Sequence, residues 1–188
     1  MEAFLGIFTS FGLSTSAGLN AYLPLLIVAL VARFTDWIRL NEPFTNLTSW
    51  WVIGLLTVML TIEILADKIP IVDSVNDAIQ TFIRPIAGAI LFAANFNAIG
   101  QVHPVLAMIC GLLVAGTVHA VKTTARPVIT ASTAGTANPI VSTGEDIISA
   151  ATAFLSILLP VLLAIVLLIA ATIIGWWLWS VRRQRRRV

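Results

Sequence analysis

The chain has 188 residues, 59% of them hydrophobic and only 11% charged. Soluble domains carry about 25% charged residues, so this balance excludes an ordinary soluble protein and reads as an integral membrane protein. The formal net charge is +2, but Arg182, Arg183, Arg185, Arg186 and Arg187 crowd the tail and leave the body at about −3, which excludes nucleic acid as a natural partner.

In chain order, the start MEAFLGIF has an acid where a secretory leader needs a basic region, so a cleavable signal peptide is not expected. Residues 3–13 are apolar but too few to span, and read as a short interfacial or re-entrant helix. The first span is expected over Thr15–Arg33, with a kink at Pro24. A polar loop, 34–49, leads to a second span, Trp50–Ala66, stopped by Pro70. The segment IPIVDSVND reads as a connection in which Asp73 or Ser74 caps the next helix. The third span is expected over Val75–Ala98, a turn at Gly100 and Pro104, and the fourth span over Val105–Lys122. Thr123–Asp146 is long, polar and rich in small residues, and reads as a loop. Any part of it at membrane depth must be satisfied by protein or water. The last span, Ile147–Trp179, exceeds the roughly 20 residues a bilayer needs, so Pro160 is the expected bend.

These elements imply an all-α, polytopic bundle: about five spans plus a short amino-terminal helix, in one domain, 1–188, with a basic tail, 181–188. The arginine tail is expected to be cytoplasmic. All six tryptophans lie around the 34–49 loop or at the end of the last span. Five spans put both places on one side, with the amino terminus outside. Segments 67–77 and 123–146 then share the outer side.

PIVDSVNDAIQT (Pro70–Thr81) aligns with PIVSTGEDIISA (Pro139–Ala150) at an offset of 69 residues, and STSAGLN (Ser14) is echoed by STAGTAN (Ser132). The longer match reads as a parallel internal repeat. The shorter is equally a shared helix-start signal. Transporters often build sites at repeat interfaces from broken helices.

The chemistry concentrates in Glu63–Pro85, where Glu63, Asp67, Lys68, Asp73, Asp77 and Arg84 lie between membrane-grade segments. Charge in such a place is a functional-site hypothesis by default. Glu63 and Asp67 share a helix face, and Glu63 and Arg84 each fall roughly 10 Å from a helix end at 1.5 Å per residue. A Glu63–Arg84 pair follows, open to a functional or a purely structural role. His119, Lys122 and Arg126 form a second stripe, which can face the acids, bind an anion, or be a solvated helix end. Asn138 and Asp146 are the candidates from the second copy. Asp73 and Asp77, with Asn76, are a weak signal for a hard cation, and helix capping explains them more simply. The chain has no HExxH, GxSxG or P-loop motif, and its single cysteine, Cys110, excludes an intrachain disulfide. An enzyme is therefore the less favoured reading, and no cofactor is implied.

With GLNAYLPLL, ADKIPIVDSVNDAIQTFIRPIAGAILFAA and ARPVITASTAGTANPIVSTGED in view, the chain resembles a family of bacterial integral membrane proteins, domain of unknown function 4126. The resemblance runs from about Phe11 to the last span. It implies a multi-pass protein of the bacterial plasma membrane, assigns no activity, and places Asp67, Lys68, Asp73, Asp77 and Arg84 in a characteristic motif. Two functions follow as expectations. One is a small channel or transporter for an ion or small solute, homo-oligomeric because five spans are few for a pathway. The other is a lipid-handling protein that recognises a phosphate headgroup through Lys122 and Arg126. A structural or assembly subunit without a ligand is the third reading.

Overall fold

A computed structural model describes residues 2–67, 70–96 and 103–185. These form six α-helices and one short 3-10 helix, with no strand among the described residues.

The first two helices differ from expectation. Helix α1 (Glu2–Leu19) is a continuous helix, and α2 (Tyr22–Phe34) follows a break at Asn20–Ala21. Pro24 does not kink anything. It sits in the first turn of α2, where its missing N–H has no intrahelical partner to lose. The break comes instead from Asn20, whose Oδ1 accepts from Leu23 N at 2.9 Å and caps α2. Both Asn20 and Ala21 are buried. Helix α2 then doubles back. Its Phe34 ring lies 6.0 Å from Trp50, and the Arg33 guanidinium stacks 4.1 Å over the same ring. The following loop reaches the end of α4 (Pro70–Asn95), where Asn41 N donates to Ala94 O at 3.1 Å and Asn41 Nδ2 to Ala93 O at 3.2 Å. Carbonyls orphaned at that helix end are thereby satisfied. Phe11 of α1 meets Phe92 of α4 edge-on at 5.1 Å. Helices α1 and α2 are thus a hairpin whose tip is Asn20.

Helix α3 (Trp50–Ala66) starts at a Ser49 cap and leads into α4. The expected connection before residue 75 is helical instead: α4 begins at Pro70, a favoured first-turn residue, so Asp73, Ser74, Asn76 and Asp77 lie in its first turns. Its far end is Asn95. Phe96 is no longer helical, and residues 97–98 of the expected third span and Gly100 fall outside the described residues.

The expected 123–146 loop is likewise overturned. Helix α5 (Pro104–Thr133) continues past Lys122 and through Pro127, and α6 (Asn138–Arg185) begins before the expected Ile147. The only connection is a tight turn with Ala134 at φ 51° and Gly135 at φ 79°, the left-handed region glycine tolerates best. Small hydroxyl residues in this helix satisfy their side chains on the preceding turn. Thr123 donates to His119 O at 3.0 Å, Thr124 to Ala120 O at 2.9 Å and Thr133 to Ile129 O at 2.7 Å. Helix α6 has 48 residues, about 72 Å of helix at 1.5 Å per residue, and it passes Pro160 without interruption.

Antiparallel α4 and α5 make the closest pairing. A Cβ on Gly88 would meet Ala115 Cβ and lie 2.7 Å from Gly111 O, so the backbones touch. Helix α1 packs across both and along α6. Ser14 Oγ donates to Gly88 O at 2.9 Å, Ser16 Oγ to Ser149 O at 2.8 Å, and Ser149 Oγ to Ser16 O at 3.1 Å. Small residues allow this approach and hydroxyls bind it, as in membrane helix packing.

The outside of the bundle is apolar: Trp51, Leu55, Val58, Ile62 and Leu65 on α3, Ile79, Phe82 and Ile86 on α4, and Leu112 and Leu113 on α5 are all exposed. Charged and polar side chains fill much of the interior, a pattern suited to lipid rather than water. Among the described residues three helical stretches are long and apolar enough to cross a membrane: Val75–Asn95, Pro104–Thr133 and Asn138–Leu159. Helices α2 and α3 are shorter. Helix α1 starts at the Trp50 pole, and α6, which pairs Ser149 with Ser16 and then Ser156 with Thr9, runs toward that pole. Helices α1 and α6 are therefore antiparallel along this contact. Both aligned segments, from Pro70 and from Pro139, open a helix with proline in its first turn.

Candidate functional site

The end of α1, the end of α3, the start of α4, the end of α5 and the start of α6 converge at the pole opposite Trp50. There α3 contributes Glu63 and Asp67, α4 Asp77 and Arg84, α5 His119, Lys122 and Arg126, and α6 Glu145. Two layers can be distinguished.

The deeper layer centres on Arg84, which is wholly buried. Its Nη2 donates to Glu63 Oε1 at 3.0 Å, its Nη1 donates to His119 Nδ1 at 3.0 Å, and Nη1 lies 3.6 Å from Asp77 Oδ1. This geometry fixes the histidine tautomer. A guanidinium only donates, so Nδ1 is bare and the ring proton sits on Nε2. Nε2 then donates to Thr81 Oγ1 at 3.0 Å, and Thr81 donates onward to Asp77 O at 2.9 Å. The Tyr22 phenol stands beside Gln80, within the field of Glu63 and Arg84.

The outer layer centres on Glu145. Its Oε2 takes Lys122 Nζ at 2.9 Å and Arg126 Nη2 at 2.7 Å. Arg126 also lies 3.9 Å from both Asp67 and Asp77 and so joins the layers. Asp67 is held by Asn76 Nδ2 at 2.7 Å and Ser142 Oγ at 3.2 Å, which ties α3, α4 and α6 together. Lys122 Nζ also donates to Leu19 O at 3.3 Å, a carbonyl freed where α1 ends. Next to it, Asn20 Nδ2 donates to Asp146 Oδ1 at 2.9 Å. The backbone break and the charged cluster are thus one structure.

The sequence profile of the family described as domain of unknown function (DUF4126) matches residues 7–181. The chain belongs to that family. No curated protein and no solved structure matches it.

Of the residues singled out in this DUF4126 chain, Glu63, Asp67, Asp77, Arg84, Lys122 and Arg126 meet in one network. Asp146 stands at its edge with Asn20. Asn138 is buried one turn away and accepts from Thr130 Oγ1 at 3.1 Å, without touching the charges. Asp73 lies in the first turn of α4, and Lys68 falls outside the described residues. Among the described residues no three His, Cys, Asp or Glu side chains converge as a metal-ligand set. The sequence reading gave Glu145 too little weight and missed Asn20 and Ser142 as site residues. The signal for the α6 pair was present: Asn138, Ser142, Glu145 and Ser149 recur at 4, 3 and 4 residues, one polar helix face. It was hidden by reading 123–146 as a loop.

Proposed function

We propose that this DUF4126 protein is a membrane transport protein, a small channel or carrier, that binds an ion or small solute at the cluster around Glu63 and Arg84. The observation that carries this reading is a charged network buried at the level of a helix break, inside a bundle with an apolar exterior. Ionisable groups at membrane depth are expensive and mark ion paths and proton relays, and carriers place such groups beside unwound backbone. Glu63 is the pairing or protonatable acid and Arg84 its partner. With the arginine tail cytoplasmic, the cluster faces the outer side, and a homo-oligomer completes the pathway.

The balance of charge favours a cation or a proton over a lipid phosphate. Among the described residues four carboxylates (Glu63, Asp67, Asp77, Glu145) meet three cations (Arg84, Lys122, Arg126). The two cations a headgroup would need are both engaged by Glu145. The test is flux of protons, alkali cations and chloride into proteoliposomes under an imposed gradient. Cation or proton flux is expected in the wild type and a loss of it in Glu63→Gln and Arg84→Ala. Flux that survives unchanged in both variants removes these residues from the pathway.

A further inference from the structure

Glu63 is buried, with about 1% of its side chain accessible, and among the described residues its hydrogen-bond partner is Arg84, through one oxygen. Among the described residues its other oxygen, Oε2, is buried with no donor, and so are Gln80 Oε1 and Asp77 Oδ1. Arg84 Nε is buried without an acceptor. An ionised carboxylate facing a guanidinium commonly takes two parallel hydrogen bonds. Here it takes one, although the second donor and the second acceptor are both orphaned.

The neighbours of Glu63 do not make good the missing interaction. From α4, Arg84 is shared with Asp77 at 3.6 Å and His119 at 3.0 Å. From α5, Lys122 acts on Glu63 but is bonded to Glu145 at 2.9 Å and to Leu19 O at 3.3 Å. His119 presents a bare nitrogen to Arg84 and brings no positive charge. On its own helix Glu63 faces the like charge of Asp67, and from α2 it faces the neutral Tyr22 phenol. A buried acceptor without a donor costs about 1–3 kcal/mol, more for a charged group, and an uncompensated buried carboxylate is resolved by taking up a proton. A metal cation would need a shell of oxygens, typically six or more for a hard divalent ion. The orphaned acceptors near Glu63 are too few for that, whereas a proton needs one.

We propose that Glu63 holds the cluster's exchangeable proton, as an O–H on Oε2. The proton makes Oε2 a donor, so that it no longer stands as a buried acceptor without a partner. It leaves Oε1 to accept from Arg84. Among the described residues it matches three remaining carboxylates to three cations. Release breaks the O–H bond, sends the proton to water and leaves a carboxylate whose charge Arg84 Nη2 already faces at 3.0 Å. Coupling of this release to transport rests on the reading above; the proton's presence does not.

The test is isotope-edited infrared spectroscopy of the folded, full-length protein, carrying ¹³C-labelled glutamate, in lipid nanodiscs at neutral pH. The expected result is a protonated-carboxyl C=O band that shifts in D₂O and is lost in Glu63→Gln. That variant mimics the protonated acid, so it should melt as the wild type does at neutral pH. At alkaline pH the wild type should weaken relative to it. Absence of the band in the wild type, its persistence in Glu63→Gln, or failure of Glu63→Gln to fold would each overturn the proposal. A band without ion flux in proteoliposomes upholds the proton and sinks transport. Flux without the band does the reverse.

Discussion

Replacing Arg126 by alanine gives the most informative perturbation of the outer layer. Arg126 is joined to Glu145 Oε2 by a short charge-assisted bond of 2.7 Å and makes longer approaches, at 3.9 Å, to Asp67 and to Asp77. The short bond alone is worth about 1.5–3 kcal/mol. The longer two lie beyond hydrogen-bond range and act only as charge, but their loss leaves buried carboxylates short of a partner. Breaking a buried pair from one side costs about 3–5 kcal/mol, and that is the expected destabilisation for Arg126→Ala. Arg126→Lys keeps the charge and loses the fork that spans three acids, so roughly half that cost is expected. Adding Glu145→Gln to Arg126→Ala should recover none of the loss, because Lys122 still pairs with Glu145 at 2.9 Å and would itself be left without an acid. Reversible unfolding in mixed micelles, followed by circular dichroism, measures all three. An Arg126→Ala protein within 1 kcal/mol of wild type, or one no weaker than Arg126→Lys, refutes the view that this arginine compensates several buried acids.

Three further outcomes are expected. Gly88→Val should unfold or strongly destabilise the protein, because even a Cβ there collides with Ala115 and Gly111 on α5, and overpacking costs about 1–3 kcal/mol or more. A thermal melt against a Gly54→Ala control, where a Cβ meets nothing within 4 Å, separates this from a general glycine effect. Asn20→Ala removes both the α2 cap and the Asp146 contact, and should cost about 1–2 kcal/mol in the same micelle titration, near the upper range for a cap. Asn41→Ala loses the side-chain bond to Ala93 O and keeps the backbone bond to Ala94 O, so one carbonyl is freed, and hydrogen exchange should speed up locally at the end of α4 while the charged cluster stays protected.

The all-helical class and the inward stretch Glu63–Arg84 were legible because charges between long apolar runs have few places to go. The Glu63–Arg84 pair was legible for a simpler reason: helix rise places both at one depth, and the structure closes it at 3.0 Å. What escaped was the continuity of helices through polar sequence. Thr123, Thr124, Ser132 and Thr133 read as loop residues, but each satisfies its hydroxyl on its own helix, so polarity did not mean irregular backbone. The break at Asn20 escaped because Pro24 looked like the natural breaker, and proline near a helix start breaks nothing.

The packing also bears on whether the buried charges are there only to hold the helices in place. The relation of α4 to α5 is already fixed below the cluster. Gly88 and Gly111 bring the backbones into contact, and Phe92 and Ala107 pack in the adjoining apolar core. Sliding one helix by a residue would drive Ala115 or Phe92 into the opposing backbone. The ties above it, Arg84 with His119 and Arg126 with Asp77, repeat a register that glycine contact has set. Well-packed apolar residues in their place would be neutral or stabilising. Costly charges kept where packing already specifies the fold support the proposal that the cluster does more than hold the helices together, and they converge on the broken backbone at Leu19 and Asn20.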